Sequence, residues 1–312
     1  MVRIGVDVGG TGIQMGVVSD AGRIIVKDSI PTRIDLPFEE QVAQIADCVV
    51  RTAVAAGYTA DEIDTVGFGI PGIASPKGEV IKCPNMNWHH VPFSDLFRKR
   101  LDKPIFIDND ANVAALAESV AGISKGSSSS VFITLGTGIG SGIIINGRIW
   151  SGAHGIGSEL GHTIFSLDGE LCTCGNHGCL ERYCSATALI RMAREAVART
   201  PNSRILTAAE GDPAKINAKI VIDSAREEDP LAVSLYARYI SYLSQAIANV
   251  INLLDPEIIV LGGGVSKAGS FLLDALRKEY PQYVLYRDQP MAPLELAVLG
   301  PDAGIIGAAM LS

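Results

Sequence analysis

No basic run occurs anywhere in this chain of 312 residues: Lys and Arg number 26 against 34 Asp and Glu, for a net charge of −8. A phosphate-backbone footprint needs clustered Lys and Arg, so nucleic acid is excluded as the main partner. Nor is there an apolar run of membrane length. The longest, near Val250, is broken by Asp255-Pro256, short of the roughly 20 residues a spanning helix needs, and no membrane partner is expected. The dipeptide Gly-Lys is missing altogether, which excludes a P-loop. Met1-Val-Arg-Ile leads straight into a strand-like pattern with no charged and apolar leader, so the expected location is the cytoplasm. Low-complexity sequence is confined to Ser127–Ser130, too short for a linker. The remainder is ordinary. A content of 47% hydrophobic and 19% charged residues describes a globular protein with ample core, long enough for two domains or one large one.

Cysteine is scarce, six in all, yet three fall close together as Cys172-x-Cys174-x4-Cys179, with His162 shortly before them. Thiolate and imidazole are the ligands a structural zinc prefers, and a Cys3His set closes a tetrahedron with no open position. Gly175 and Gly178 let the backbone fold tightly around such an ion. Glu159 and Glu181 flank the ligands, so one ion can fix several polar side chains at once. Zinc is therefore expected to support a site and not to be its catalyst. A disulfide is the competing reading, against which stands the lack of any secretory leader. Cys48, Cys83 and Cys184 lack clustered partners and read as free thiols.

Glycine is plentiful, 33 residues, and it clusters in three turns. Val2–Val8 alternates as a strand, Gly9-Gly10-Thr11-Gly12 turns, and Ile13–Val18 and Arg23–Lys27 return as further strands. Residues 130–150 share this plan: strand Ser130–Leu135, turn Gly136-Thr137-Gly138-Ile139-Gly140, strand Ser141–Ile145, and the hairpin signal Asn146-Gly147 before Arg148–Trp150. The similarity suggests two related lobes. A third turn, Gly262-Gly263-Gly264, follows the strand Glu257–Leu261 and leads toward a helix around Ser270–Glu279. The Gly-x-Gly spacing after Gly136 resembles a dinucleotide fingerprint, but that fingerprint needs a helix next, and here a hairpin follows. Turns of glycine and threonine still expose backbone N–H groups and a hydroxyl, a cradle for phosphate oxygens.

Elsewhere, Phe38, Val42, Ile45, Val49 and Ala53 trace one face of a helix over 38–56. Strands are expected at 64–70 and 104–108, and helices at 110–120, 185–199, 214–226, 229–253 and 302–311. The alternation describes an α/β fold with mixed sheets. A boundary is placed near residue 110: a small lobe of 1–110 with about 298–312, and a large lobe of 111–297 carrying the zinc knot at 162–179. Asp110 sits where a strand hands over to a helix, inside Asp108-Asn109-Asp110-Ala111-Asn112. Such residues serve as N-caps, but strand ends are also where α/β folds place ligands. A carboxylate there can take a proton from an attacking hydroxyl, as phosphoryl transfer requires.

These residues resemble the ROK family of sugar kinases and sugar-responsive repressors. The resemblance rests on Asp7-Val-Gly-Gly-Thr11, Pro71-Gly72, Asn109-Asp110-Ala-Asn112, Leu135-Gly-Thr-Gly138, Glu159-x-x-His162 and Cys172-x-Cys-Gly-x-x-Gly-Cys179-x-Glu181. Their order covers nearly the full length. The resemblance implies the two-lobed actin-like ATPase fold, of the sugar kinase and ribonuclease H-like class, with a cleft between lobes. It implies Asp110 as catalytic base, and Gly72, Asn109, Glu159, His162 and Glu181 as further sugar-binding residues. It also places Asp7 near a magnesium ion bound with ATP, Gly9, Gly10, Thr11, Gly12, Thr137 and Gly138 around the phosphates, and Gly262, Gly263 and Gly264 near the adenosine. His162 would give one ring nitrogen to zinc and the other to sugar.

The activity so implied is transfer of the γ-phosphoryl of Mg-ATP to the 6-hydroxyl of glucose, by a homodimer or homotetramer. Alternatives stay open. The sugar can be N-acetylmannosamine, fructose, mannose or allose, since hydroxyl-binding residues look alike for all of them. Many ROK kinases carry Lys after Gly-Gly-Thr, whereas this chain has Gly12, as do relatives that take phosphate from polyphosphate. Those relatives generally lack the cysteine knot, which favours ATP. A repressor would carry a helix-turn-helix before the first glycine turn, and Asp7 leaves no room for one.

Overall fold

A computed structural model describes residues 1–312. The chain begins with β1 (Val2–Val8), β2 (Gly12–Val18) and β3 (Ile24–Pro31), then α1 (Phe38–Ala55) and β4 (Ile63–Ile70). Three short strands, β5 (Ile73–Ala74), β6 (Val80–Cys83) and β7 (Trp88–Val91), precede α2 (Phe93–Arg98), β8 (Ile105–Asn109) and α3 (Asp110–Ala121). Next come β9 (Ser129–Leu135), β10 (Ile139–Ile145) and β11 (Arg148–Ile149). The rest is helix-rich: α4 (Glu181–Cys184), α5 (Ala186–Val197), α6 (Arg204–Ala208), α7 (Ala218–Arg226), α8 (Pro230–Leu254), β12 (Ile258–Gly262), α9 (Ser270–Glu279), β13 (Leu294–Leu296) and α10 (Ala303–Ala309). No helix is long and apolar enough to cross a membrane.

Two five-stranded sheets follow one plan, β3-β2-β1-β4-β8 and β11-β10-β9-β12-β13. In the first, β1–β2 and β2–β3 are antiparallel, while β1–β4 and β4–β8 are parallel. In the second, β10–β11 is antiparallel and β12–β13 parallel. The duplication read from the glycine turns thus extends to strand order. The β10–β11 turn has φ +52° at Asn146 and +70° at Gly147, as a two-residue hairpin of right-handed strands demands.

The chain divides into two compact units, Met1–Phe132 with Gly142–Ser158 and Val298–Ser312, and Ile133–Ser141 with Glu159–Ala297. These units do not break at residue 110: α3 and the 142–158 segment fall in the first. The helix expected over 214–226 is also shorter. A 3-10 turn at Pro213–Lys215 is capped by Asp212, and a separate N-cap, Asn217, accepts from Ile220 N–H at 3.0 Å to start α7. The strands β5, β6, β7 and β13 and the short helices α2 and α6 were not expected.

In the first unit, α1 buries Val42, Ile45, Val49 and Ala53, the face its spacing marks. Against it lies an aromatic group in which Phe68 meets Phe93 and Phe97 edge-on at 4.9 and 5.2 Å. The Trp88 indole N–H donates to Gln41 Oε1 at 3.1 Å. The helix α10 packs against this unit's sheet at glycines: a Cβ on Gly5 would lie 1.9 Å from Ile305 O, and one on Gly67 1.8 Å from Ala308 O. Only glycine permits such an approach.

The start of the C-terminal segment is held by Glu118, a carboxylate with no exposed surface. Its Oε1 accepts from Val298 and Leu299 N–H at 3.0 Å each, and its Oε2 from Ile123 N–H at 2.9 Å. Its removal would leave three backbone N–H groups without their acceptor, so Glu118→Ala is expected to cost about 3 kcal/mol. Glu118→Gln, which keeps one accepting oxygen, should cost less. Urea unfolding of the two variants checks this ordering.

Candidate active site

In the first unit, the β1–β2 turn is drawn shut by Gly9 N–H donating to Gly12 O at 3.0 Å. Thr32 steadies it from β3's end, its hydroxyl donating to Gly9 O at 2.6 Å and its N–H to Thr11 O at 3.3 Å. Gly10 and Thr11 are left exposed at the tip. A Cβ on Gly10 would lie 3.6 Å from that of Asn85, so the short turn after β6 reaches this tip.

Asp7 ends β1 immediately before the turn. Burial, and secondly the charge of nearby Asp110, push its carboxyl up to about 6. Gly304 of α10 lies against it: an added Cβ would stand 2.5 Å from Asp7 Cγ. Asp110 opens α3 and is exposed, with its Oδ1 2.9 Å from Ala111 N. Asn109 is the N-cap, its Oδ1 accepting the same N–H at 2.8 Å, while its Nδ2 donates to Gly72 O at 3.4 Å. Gly72 is obligatory, since a Cβ would meet Lys82 O at 2.1 Å. Asp7, the first glycine turn, Gly72, Asn109 and Asp110 thus belong to one unit; the Asp110 charge acts on Asp7, and a hydrogen bond joins Asn109 to Gly72.

The raised Asp7 carboxyl has a consequence for stability. The folded protein holds this proton more tightly than the unfolded chain, so stability falls as pH rises from about 4 to about 6 and stays lowered above. Asp7→Asn removes that loss. In metal-free buffer the variant is expected to be more stable at pH 7.5, by on the order of 2–3 kcal/mol. The difference should vanish near pH 4, as paired thermal melts will show.

In the second unit, the 136–138 turn is closed by Gly136 N–H donating to Gly138 O at 3.0 Å. The start of α5 braces it: Ala186 N–H donates to Gly136 O at 2.9 Å and the Thr187 hydroxyl to Thr137 O at 2.7 Å. Glu181 lies alongside, accepting from Ile139 N–H at 2.9 Å, and a Cβ on Gly138 would stand 2.1 Å from its Oε2. Gly263 has φ +85° and backs onto Leu135, where a Cβ would lie 2.6 Å from the carbonyl oxygen. Gly262 ends β12 and Gly264 follows, exposed.

Glu159 is exposed and precedes the 3-10 turn Leu160–His162. Gly161 seats that turn on β10, since a Cβ would meet Ile139 O at 2.2 Å. The ligand atoms of His162, Cys172, Cys174 and Cys179 all lie within 4.8 Å of one another. Cys172 Sγ is 3.7 Å from His162 Nδ1, and Cys174 Sγ is 3.5 Å from Cys179 Sγ. Zinc–sulfur bonds of about 2.3 Å give tetrahedral edges of roughly 3.8 Å, so the four groups fit a zinc ion. The sulfurs are too far apart for a disulfide, and all six cysteines are free. The loop is shaped by Gly175 and Gly178, at φ +96° and +75°. It is buttressed by Phe165, Tyr183 and Tyr242, with ring centroids 5.4 to 5.7 Å apart. Because Nδ1 faces the thiolates, His162 keeps Nε2 for another partner.

Sequence reasoning passed over Asp108, Asn85 and Gly304. Asp108 was visible as the acid before the Asn-Asp pair, but its role depends on a helical neighbour four residues on. Asn85 and Gly304 carry no local signal.

The chain from 3 to 312 matches the model of the ROK family. It is 36% identical over 310 residues to a glucokinase of Thermotoga maritima, covering 99% of this chain and 96% of that protein. Among solved structures it is similar to a ROK family glucokinase from Streptomyces griseus in complex with glucose and AMPPNP. There the TM-score is 0.81 at 35% identity, over 99% of this chain and 98% of that one. A ROK hexokinase from Thermus thermophilus gives a TM-score of 0.84 at 31% identity, over 99% and 97% of the two chains.

Proposed function

The chain belongs to the ROK family, and from that premise we propose that it transfers the γ-phosphoryl of Mg-ATP to the 6-hydroxyl of glucose. Its fold is the actin-like ATPase fold of sugar kinases. The observation that carries the chemistry is the carboxylate pair of Asp7 and Asp110, close enough that one charge raises the other's proton affinity. Oxygen donors of this kind suit magnesium, which as the nucleotide's counter-ion neutralises charge on the phosphates. Asp110 takes the proton of the attacking hydroxyl. It is exposed at the first position of α3, where a substrate can reach it.

Asn109, Gly72, Glu159, His162 and Glu181 hydrogen-bond the remaining hydroxyls and so turn the reactive one toward the donor. The Gly9–Gly12 turn and Thr137–Gly138 line the phosphates, with Gly10 and Thr11 exposed at the tip of the first, and Gly262–Gly264 lie along the adenosine. A structural zinc held by His162, Cys172, Cys174 and Cys179 fixes the His162 tautomer through Nδ1, leaving Nε2 for sugar. The enzyme works in the cytoplasm as a homodimer or homotetramer.

ADP release across a panel of hexoses tests the reading, with ATP and then polyphosphate as donor. Glucose-dependent turnover on the order of 1–100 per second with ATP is expected. Preference for another hexose would keep the chemistry and change the substrate. Silence with every sugar and donor would refute the reading.

A further inference from the structure

The strand-to-helix junction that carries Asp110 contains a second carboxylate without an assigned role. Asp108, the penultimate residue of β8, is half-buried, and burial raises its proton affinity. Its Oδ1 accepts from Asn109 N–H at 2.7 Å and from Asn112 Nδ2 at 2.8 Å. The Asn112 amide therefore presents its NH2 group to this oxygen and turns its own oxygen away. The consequence is visible on the amide's other side. Asn112 is 3% exposed, and its Oδ1 has no hydrogen-bond partner. Leaving a buried acceptor unpaired is costly, and such an atom calls for an explanation. The explanation here is mechanical. Asn112 lies in the first turn of α3, four residues beyond Asp108 in β8, while Asn109 and Asp110 both direct oxygens at Ala111 N–H. A rotation of that first turn would swing the Asp110 carboxylate, and the Asp108–Asn112 bond opposes such a rotation.

We propose that Asp108 is a positioning residue for Asp110, clamping the first turn of α3 through Asn112 and the Asn109 N–H. This rests on the reading of Asp110 as the base. Asp108 itself touches no reacting atom.

The test compares Asp108→Ala, Asp108→Asn and Asn112→Ala in the full-length enzyme. Asp108→Ala should lower kcat by about 10- to 100-fold, the scale of a misplacement near 1 Å, with KM for sugar and ATP within about twofold. Asp108→Asn should restore kcat to within about threefold of the parent. Its Oδ1 can still accept both the Asn109 N–H and the Asn112 NH2 group, the two bonds that Asp108 Oδ1 accepts in the parent. Asn112→Ala should share the kcat loss, and combining it with Asp108→Ala should add little, since both cut one contact. Should Asp108→Ala fail to fold, Asn112→Ala and the Asp108→Asn rescue still decide. The proposal is overturned if kcat survives Asp108→Ala or Asn112→Ala. It is overturned equally if Asp108→Asn fails to rescue, or if the loss follows melting temperature and both KM values instead. Asp110→Asn, run in parallel, separates the two readings. If it stays active, the base assignment fails. If it is inactive while Asp108→Ala is unimpaired, only the clamp fails.

Discussion

Asp110→Asn is expected to lower kcat by about two to four orders of magnitude while KM for the sugar changes little. The amide is isosteric and still accepts the Ala111 N–H at the head of α3, so the helix start should survive. What is lost is the capacity to accept a proton, which the isosteric amide cannot replace. A second readout comes from the neighbour. Asp7 is held at about 6 partly by the Asp110 charge, so neutralising Asp110 should let the Asp7 carboxyl fall toward its ordinary range. The inactive variant should therefore be at least as stable as the parent at neutral pH. Coupled ADP release and thermal melts measure both effects. Retention of more than about a tenth of the parent kcat would remove Asp110 from the role of base.

Removal of zinc is expected to impair sugar binding before nucleotide binding. The proposed knot would hold two of the proposed sugar-binding residues by different routes. His162 turns Nδ1 toward the thiols, 3.7 Å from Cys172 Sγ. Glu181 opens α4 two residues after Cys179, and the intervening Leu180 N–H donates to Thr163 O at 2.9 Å, next to His162. Loosening Cys172, Cys174 and Cys179 frees both side chains together. The 262–264 turn instead backs onto Leu135, and the 9–12 turn is held by Thr32. Neither leans on the knot. Stripping the ion with a chelator, or Cys174→Ser, should weaken glucose binding by at least about tenfold, the scale on which metal-site supports act. ATP affinity should move much less. Calorimetric titrations with each ligand measure this, and circular dichroism verifies that the stripped protein stays folded. An unchanged glucose affinity would detach the knot from the sugar site.

Much of this arrangement was legible because its causes are local. The Cys-x-Cys spacing and its glycines predict a metal knot, and the four ligand groups do converge. Asn146-Gly147 foretold its own positive φ angles. The periodicity of 38–56 marked the buried face of α1. What escaped depends on distant partners or on very short elements. Strands of two to four residues between 73 and 91 carry too little alternation to show. Glu118 reads as an ordinary surface acid on a helix, yet it is wholly buried because the backbone of Val298 and Leu299, some 180 residues away, returns to it. The Asp108–Asn112 bond crosses a strand-to-helix junction, where neither the two-residue nor the 3.6-residue period applies. For the same reason the division of the chain near residue 110 was drawn at a change of element, whereas the compact unit continues through α3.

The glycine faces of Gly5 and Gly67 that receive α10 also set an order of events on the ribosome. Residues 1–132 emerge first, but the helix they await follows the whole of the second unit. At synthesis rates of about 5–20 residues per second, the wait lasts roughly 10 s or more. During that time the first sheet lacks its covering helix, while Glu159–Ala297 emerges as one continuous stretch and has its own core available. The later-made unit is thus free to fold first. The earlier-made one gains the cover of α10 only after the intervening unit has been synthesised.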